Sequence, residues 1–212
     1  MQTVALNPEN KNSIAQCERL PLLDGEVYFK TSVFDDVDSQ SLFNALYDST
    51  AWQQQRIRMF GKSVLMPRLV AWHADTGIHY RYSGHTAPHN DWTPALLRIK
   101  STAENICNCT FNGALLNLYR NGNDSLSWHS DDEYSLGAEP TIASFSFGCT
   151  RLFQMKHKTK TIPIVNLELT PGSLLVMLRL TQKHWKHCIP KNKNVTGPRI
   201  NVTFRSILDS ST

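Results

Sequence analysis

The second half of the chain consists of short runs rich in β-branched, aromatic and alternating residues, and this pattern constrains the fold most strongly. The runs are 114–119, 142–147, 151–155, 162–169, 173–178 and 199–207, and several are separated by Gly, Pro or Asn. Short runs with turn residues between them are typical of strands, and no helical pattern alternates with them as a βαβ fold requires. We therefore predict an antiparallel sandwich or barrel, mainly β with flanking helices (α+β).

Two helices are predicted ahead of these strands. Asp38 and Ser39 precede an apolar stripe with helical spacing that runs to about Tyr47, so a capped helix is expected there. Thr93 is the predicted N-cap of the second helix, with Pro94 at its first position.

Length and composition predict one soluble domain. A chain of 212 residues is long enough for one sizeable core, so we predict a flexible arm over residues 1–20 and a single catalytic domain over 21–212. The net charge of +4 suits a polyanionic partner without diagnosing one. No stretch approaches the roughly 18 apolar residues of a membrane span, and the first 16 residues lack the pattern of a signal peptide. Five cysteines without a Cys-x-x-Cys pair indicate reduced thiols inside a cell.

A His-x-Asp pair is the first candidate for chemistry. His129 and Asp131 lie two residues apart, so in an extended segment both side chains project from one face and can share an ion. A third ligand must come from elsewhere, and both His184 and His187 are candidates. Two imidazoles and one carboxylate leave metal positions open, which is the arrangement of non-heme iron oxygenases.

The last predicted strand carries two arginines on one face. Strict alternation places Arg199, Asn201, Thr203 and Arg205 together, opposite an apolar face. Buried guanidinium groups require anionic partners, so a polar face on an interior wall predicts a bound dicarboxylate. Asn117 and Tyr119, again two residues apart, are candidates for the same ligand. The alternative is an outer strand whose polar face is exposed to solvent.

These residues resemble the AlkB family of DNA and RNA dealkylases, most closely its member acting on double-stranded DNA. The resemblance covers roughly residues 56–208 in unbroken order. The matching segments are Phe111-Asn112, Asn117-Leu118-Tyr119, His129 to Glu133, Pro140 to Gly148, Gly172 to Leu175, Thr181, Trp185, His187 and Pro198 to Arg205.

The resemblance implies a double-stranded β-helix, or jelly roll, over about 111–208, with helices and a nucleotide-recognition lid in about 21–110. It implies that iron(II) is held by His129, Asp131 and His187, so it favours His187 over His184. It further implies that 2-oxoglutarate is held by Asn117, Tyr119, Arg199, Asn201, Thr203 and Arg205, with Arg199 on the distal carboxylate.

The implied activity is that of an Fe(II)/2-oxoglutarate-dependent dioxygenase. With O2 as the oxidant, it removes N-alkyl groups from bases such as 1-methyladenine and 3-methylcytosine in DNA, and it releases succinate, CO2 and formaldehyde. The same chemistry on RNA or protein is an alternative, and so is a nucleic-acid-binding jelly roll without turnover.

All but one of the implied substrate contacts lie ahead of the jelly roll. Phe60, Gly61 and Lys62 resemble the family's intercalating hairpin, in which Phe60 acts as an apolar wedge. The lid residues Tyr80, Arg81 and Tyr82 and the acid Asp132 are the other implied contacts with the substrate. The aromatic residues have a simpler alternative, which is packing in the core or within a strand. The alternative for Asp132 is a solvated charge.

The expected partner is alkylated DNA, double- or single-stranded, or RNA, and the protein is expected to be a monomer away from membranes. We expect a cytoplasmic, nucleoid-associated location if the source is bacterial and a nuclear one if it is eukaryotic.

Overall fold

A computed structural model describes residues 13–59, 62–78, 81–82, 85–86 and 88–208 of the chain. Two β-sheets form the core of the described part, and their strands are numbered in chain order. The larger sheet has the spatial order β1 (Glu18–Leu20), β2 (Glu26–Lys30), β14 (Leu174–Leu178), β11 (Ile142–Gly148), β16 (Arg199–Arg205), β9 (Gly113–Tyr119), β5 (Leu69–Ala74) and β8 (His89–Asn90). The smaller sheet has the order β10 (Leu126–His129), β15 (Trp185–Ile189), β12 (Arg151–His157) and β13 (Val165–Leu169).

The described strand pairs within these sheets are antiparallel, except for the short parallel pair β5–β8. The two sheets pack face to face through Tyr119, Phe153, Met155 and Trp185. The predicted antiparallel sandwich is therefore confirmed as a jelly roll.

Two short hairpins lie between β2 and β8 in the chain, outside the two sheets of the sandwich. Strand β3 (Arg56–Met59) pairs with β4 (Lys62–Leu65), with Met59 opposite Lys62, and β6 (Arg81–Tyr82) pairs with β7 (His85–Thr86). Predicted contact residues Phe60, Gly61 and Tyr80 lie outside the described residues.

The helices are α1 (Asp36–Ser49), α2 (Pro94–Cys107) and the single turn α3 (Thr181–His184). Helix α2 begins as predicted, since the Thr93 side chain accepts a hydrogen bond from the Leu96 N–H. Helix α1 begins before the predicted start. Asp35 is its N-cap and accepts a hydrogen bond from the Asp38 N–H at 2.8 Å, so Asp38 belongs to the first turn instead of preceding it.

The alternation of β16 decides which side of the larger sheet holds the site. Ile200, Val202 and Phe204 are fully buried in the core beneath α1 and α2. The four polar residues of the opposite face are also buried, with exposed fractions between 1% and 6%. The alternative of a solvent-exposed polar face is therefore wrong. The polar face of β16 faces the space between the two sheets.

Three features differ from or add to the expectations. Residues 18–20, which were predicted to belong to a flexible arm, form the edge strand β1, and Leu20 is buried in the core. All five cysteines are free thiols. No helix among the described residues has the length and apolar character needed to cross a membrane.

Candidate metal and co-substrate site

Three side chains from two parts of the smaller sheet meet at one end of the space between the sheets. His129 ends β10, Asp131 follows two residues later, and His187 lies on the neighbouring strand β15, directly opposite His129. One nitrogen or oxygen of each lies within 4.8 Å of the others. The structure thus brings together the three predicted iron ligands.

The carboxylate of this group is buried and ionised. Its Oδ2 accepts a hydrogen bond from Arg205 Nη2 at 2.6 Å, and both side chains are 6% exposed. Burial acts to raise the pKa of Asp131, but Arg205, His187 and His129 outweigh it and hold the pKa well below its ordinary value. Asp131 therefore remains an anionic ligand across the physiological range.

The orientation of His129 suits a cation shared with Asp131. Its Nδ1 lies 2.9 Å from the Ser127 carbonyl oxygen, so Nδ1 carries a proton and donates it. In the neutral ring the lone pair is then on Nε2, which lies 3.5 Å from Asp131 Oδ1. Two acceptors at this distance repel each other unless a proton or a metal cation lies between them. An imidazole whose far nitrogen donates to a carbonyl is the usual arrangement around a bound metal.

His187 is held in the neutral, ligand-competent form. Burial lowers its pKa to about 3, with a further lowering from His129, while Asp131 acts in the opposite direction. The ring stacks on Phe153 with the centroids 5.3 Å apart, and its buried Nδ1 has no hydrogen-bond partner among the described residues. These three residues fit a divalent cation.

The predicted co-substrate residues lie beside the metal ligands. The cavity between the sheets is lined by Asn117, Tyr119, Arg199, Asn201, Thr203 and Arg205 as well as by His129, Asp131 and His187. Its volume is 210 Å³. Pockets for drug-sized ligands are roughly 300–1,000 Å³, so this cavity suits a small metabolite.

Arg199 supplies the strongest requirement for an anion. The side chain is 1% exposed, and Nη2 donates to Ser146 Oγ at 2.8 Å. Its Nε and Nη1 are buried and have no hydrogen-bond partner among the described residues. Burial lowers the pKa of Arg199 to about 10, which still leaves the guanidinium charged. A buried cation with two open donors calls for a carboxylate, and a guanidinium binds one in bidentate geometry.

Two positioning contacts were not foreseen from the sequence. The side-chain amide oxygen Oε1 of Gln182 accepts a hydrogen bond from the Asp131 N–H at 3.0 Å and fixes the backbone of that residue. Arg68 is 5% exposed, lines the cavity and donates from Nε to Asn117 Oδ1 at 2.7 Å. These partners lie 51 and 49 residues apart in the chain, and neither pair forms a local pattern.

The predicted substrate contacts are less fully described. Lys62, Arg81 and Tyr82 lie on the strands of the two hairpins, and for these three residues the structure describes only the backbone. Asp132 lies outside the cavity lining, 60% exposed, with its Oδ2 3.0 Å from Lys158 Nζ. Their roles in substrate binding stay predictions.

His184 belongs to a different group. It lies near Asp24 and His157, and the rings of His157 and His184 are stacked with their centroids 5.9 Å apart. Among the described residues, this is the second of two groups of three with ligand atoms within 4.8 Å. The structure therefore separates the two histidines between which the spacing alone could not choose.

Comparison with known proteins agrees with this geometry. A family model described as the 2OG-Fe(II) oxygenase superfamily matches residues 26–205. The "DNA oxidative demethylase ALKBH2" of Homo sapiens is 36% identical over 188 residues, covering 84% of this chain and 72% of the relative. The "Alpha-ketoglutarate-dependent dioxygenase alkB homolog 3" of Bos taurus is 40% identical over 179 residues, covering 80% of this chain and 62% of the relative.

Among solved structures, that of OsALKBH1 superimposes with a TM-score of 0.60 at 12% identity, covering 89% of this chain and all of that one. This likeness concerns the fold alone. The identities to ALKBH2 and to alkB homolog 3 are similar, so they do not separate these two relatives. The matched model and the relatives confirm the predicted resemblance: the chain belongs to the 2OG-Fe(II) oxygenase superfamily and, within it, to the AlkB family.

Proposed function

We propose that this protein removes small alkyl groups from damaged bases in DNA by oxidation, with iron(II), O2 and 2-oxoglutarate. The proposal concerns N-alkylated bases such as 1-methyladenine and 3-methylcytosine. Relatives that carry the name DNA oxidative demethylase support it, and so does membership of the oxygenase superfamily.

One observation carries the proposal. A buried carboxylate and an imidazole nitrogen face each other at 3.5 Å in the same cavity as a buried guanidinium with two open donors. The first pair can share a cation, and the second group calls for a carboxylate. Iron(II) and 2-oxoglutarate meet both requirements, whereas a module that only binds nucleic acid needs neither.

Each group of residues has its own proposed ligand. His129, Asp131 and His187 would hold iron(II), and Arg199 would bind the distal carboxylate of 2-oxoglutarate. When bound, iron(II) and 2-oxoglutarate would support oxidation of a C–H bond of the N-alkyl substituent by O2. The products would be succinate, CO2 and, from a methyl group, formaldehyde. The protein contributes placement and charge.

The polar network behind the co-substrate residues keeps them rigid. Asn201 Nδ2 donates to Ser144 Oγ at 2.7 Å and to the Phe145 carbonyl at 3.0 Å. Asn201 Oδ1 accepts from Thr203 Oγ1 at 2.9 Å. Because these partners are buried, the face of β16 is organised before a ligand arrives, which reduces the ordering cost of binding.

Access to a base requires extrusion from the duplex. A methyl group on the pairing edge lies inside the helix, so the base must flip out, at a cost that is least for a lesion already unable to pair. The β3–β4 hairpin ahead of the jelly roll is the proposed wedge, with Phe60 filling the vacated stack.

The test is an assay with purified protein, iron(II), ascorbate, 2-oxoglutarate and oligonucleotides carrying 1-methyladenine. Loss of one methyl mass, with formaldehyde release that depends on both iron and 2-oxoglutarate, would support the proposal. Succinate without loss of methyl would indicate the same chemistry on another substrate, such as RNA or protein. Metal-loaded protein that yields neither product would favour a binding module.

Phe60→Ala tests the wedge in the same assay. We expect repair of duplex to fall more than repair of single strands, because only the duplex loses a stacking partner. Stacking of one base on an aromatic ring contributes about 1–3 kcal/mol, so the ratio of the two rates should change by about fivefold or more. Equal losses on both substrates would assign Phe60 to core packing.

A further inference from the structure

Arg68 is a third arginine in the co-substrate cavity, and the proposed function gives it no role. It lies between the β3–β4 hairpin and β5, and its side chain is 5% exposed. The neighbouring Pro67 carbonyl accepts a hydrogen bond from the Ser125 N–H at 2.9 Å, which ties this segment to the loop ahead of β10. Arg68 therefore lies where the β3–β4 hairpin, the loop ahead of β10 and strand β9 meet.

Its contact with Asn117 fixes the orientation of that amide. Arg68 Nε lies 2.7 Å from Asn117 Oδ1, and a guanidinium only donates hydrogen bonds, so the atom facing it must be the amide oxygen. The amide nitrogen then lies on the side of Asn201, whose Oδ1 is 3.4 Å away. Asn117 is thereby presented to the cavity as a hydrogen-bond donor.

Without Arg68, this orientation would have weak support. The last torsion of an asparagine side chain is broad and roughly two-fold, so the amide can turn over at small cost. A turned amide would direct its oxygen towards the oxygens of a bound dicarboxylate and replace an attraction with a repulsion.

We infer that Arg68 is a positioning residue for the co-substrate, which it serves by holding the Asn117 amide as a donor to 2-oxoglutarate. The inference rests on the proposed function, since it assumes that 2-oxoglutarate occupies this cavity. It predicts that Arg68 and Asn117 act as one unit, so that the effect of changing Arg68 depends on the presence of Asn117.

The experiment is a double-mutant cycle with 2-oxoglutarate binding as the readout. Wild type, Arg68→Met, Asn117→Ala and the double variant are loaded with Mn(II) without oxygen, and the Kd for 2-oxoglutarate is measured by calorimetry. Arg98→Met is the control, because Arg98 pairs with Asp38 on the surface and its side chain is 49% exposed.

We expect Arg68→Met to weaken binding about tenfold, the size typical for loss of a charge-assisted hydrogen bond. In the Asn117→Ala background the same change should weaken binding by less than about twofold. Arg68→Lys, which keeps the charge but not the planar fork, should show an intermediate loss and the same dependence on Asn117. It replaces Arg68→Met in the cycle if the methionine variant does not fold.

An equal loss in both backgrounds would overturn the inference, because Arg68 would then act on the ligand directly. An unchanged Kd in Arg68→Met would overturn it as well. If wild-type protein loaded with Mn(II) does not bind 2-oxoglutarate at all, the proposed function fails and the inference falls with it. Wild-type binding without coupling rejects the inference alone.

Discussion

Among the described residues, two groups each contain two histidines and one aspartate, and one of the two is arranged to hold a metal. His129, Asp131 and His187 form the first group, and Asp24, His157 and His184 form the second. Their composition is the same, and in each group the ligand atoms lie within 4.8 Å of one another. The difference lies in what surrounds each imidazole.

In the first group, a backbone carbonyl takes the Nδ1 proton of His129, so the lone pair on Nε2 faces a carboxylate. In the second group, His157 Nδ1 accepts hydrogen bonds from the backbone N–H groups of Thr159 at 3.2 Å and Lys160 at 3.0 Å. The proton of His157 must then be on Nε2, which lies 3.4 Å from Asp24 Oδ2. That contact is attractive without a cation.

The comparison shows that residue types and distances do not define a metal site by themselves. The partner of the far nitrogen selects the tautomer, and the tautomer decides whether a lone pair is available. The carboxylate of the first group also lies beside buried arginines in the cavity between the sheets and is 6% exposed, whereas the Asp24 side chain of the second is 40% exposed.

The largest expected difference between the groups is in turnover. His187→Ala should abolish succinate formation that depends on iron, because it removes a metal ligand, whereas His184→Ala should leave the rate within about twofold of wild type. The measurement is conversion of 2-oxoglutarate with circular dichroism as a check on folding. An inactive His184→Ala variant alongside an active His187→Ala variant would reverse the assignment.

The next largest difference is in stability. Asp131→Asn should lower the free energy of unfolding of the metal-free protein by about 3 kcal/mol, because Arg205 would lose its charge partner in a buried site. Asp24→Asn should cost at most about 1 kcal/mol, since a partly exposed pair is screened by solvent and asparagine tolerates the positive φ of 55° at this position. Denaturant unfolding in the presence of a chelator measures both, and equal losses would contradict the contrast in burial.

Much of this site could be predicted from the sequence because its parts are local patterns. His129 and Asp131 are two residues apart, and the alternation from Arg199 to Arg205 identifies the polar face of a strand. Period-two spacing fixes which side chains share a face whatever the tertiary structure, so the buried polar face of β16 followed once the strand was placed inside the sandwich.

The missed parts depend on long-range contacts. Strands β10 and β15 were not predicted, since both are short and mix aromatic residues with polar ones. The buried roles of Arg68 and Gln182 have no local signal either, because each arises from a partner about 50 residues away. The choice between His184 and His187 likewise required the register of β15, which places His187 opposite His129.

A further expected effect concerns pH. The pKa of His187 in the folded protein is about 3, below the ordinary value of about 6.5, so between these values the unfolded chain binds a proton that the folded chain does not. Metal-free protein should therefore lose stability as pH falls from about 6.5 towards 3, by at most about 1.4 kcal/mol per pH unit from this residue. Denaturant unfolding of wild type and His187→Asn across this range measures the contribution, and identical slopes would exclude it.

The last comparison decides whether the second group binds metal, and no stabilisation is expected from that group. Co(II) at about 100 times its Kd should stabilise wild type by about 2.7 kcal/mol and raise the unfolding midpoint by several degrees. The rise should persist in His184→Ala and disappear in His187→Ala. A rise that remained in His187→Ala and vanished when His184 was also replaced would mean that Co(II) binds at Asp24, His157 and His184. In that case, metal binding would have to displace the two backbone N–H groups from His157 Nδ1, and the tautomer would follow the metal instead of excluding it.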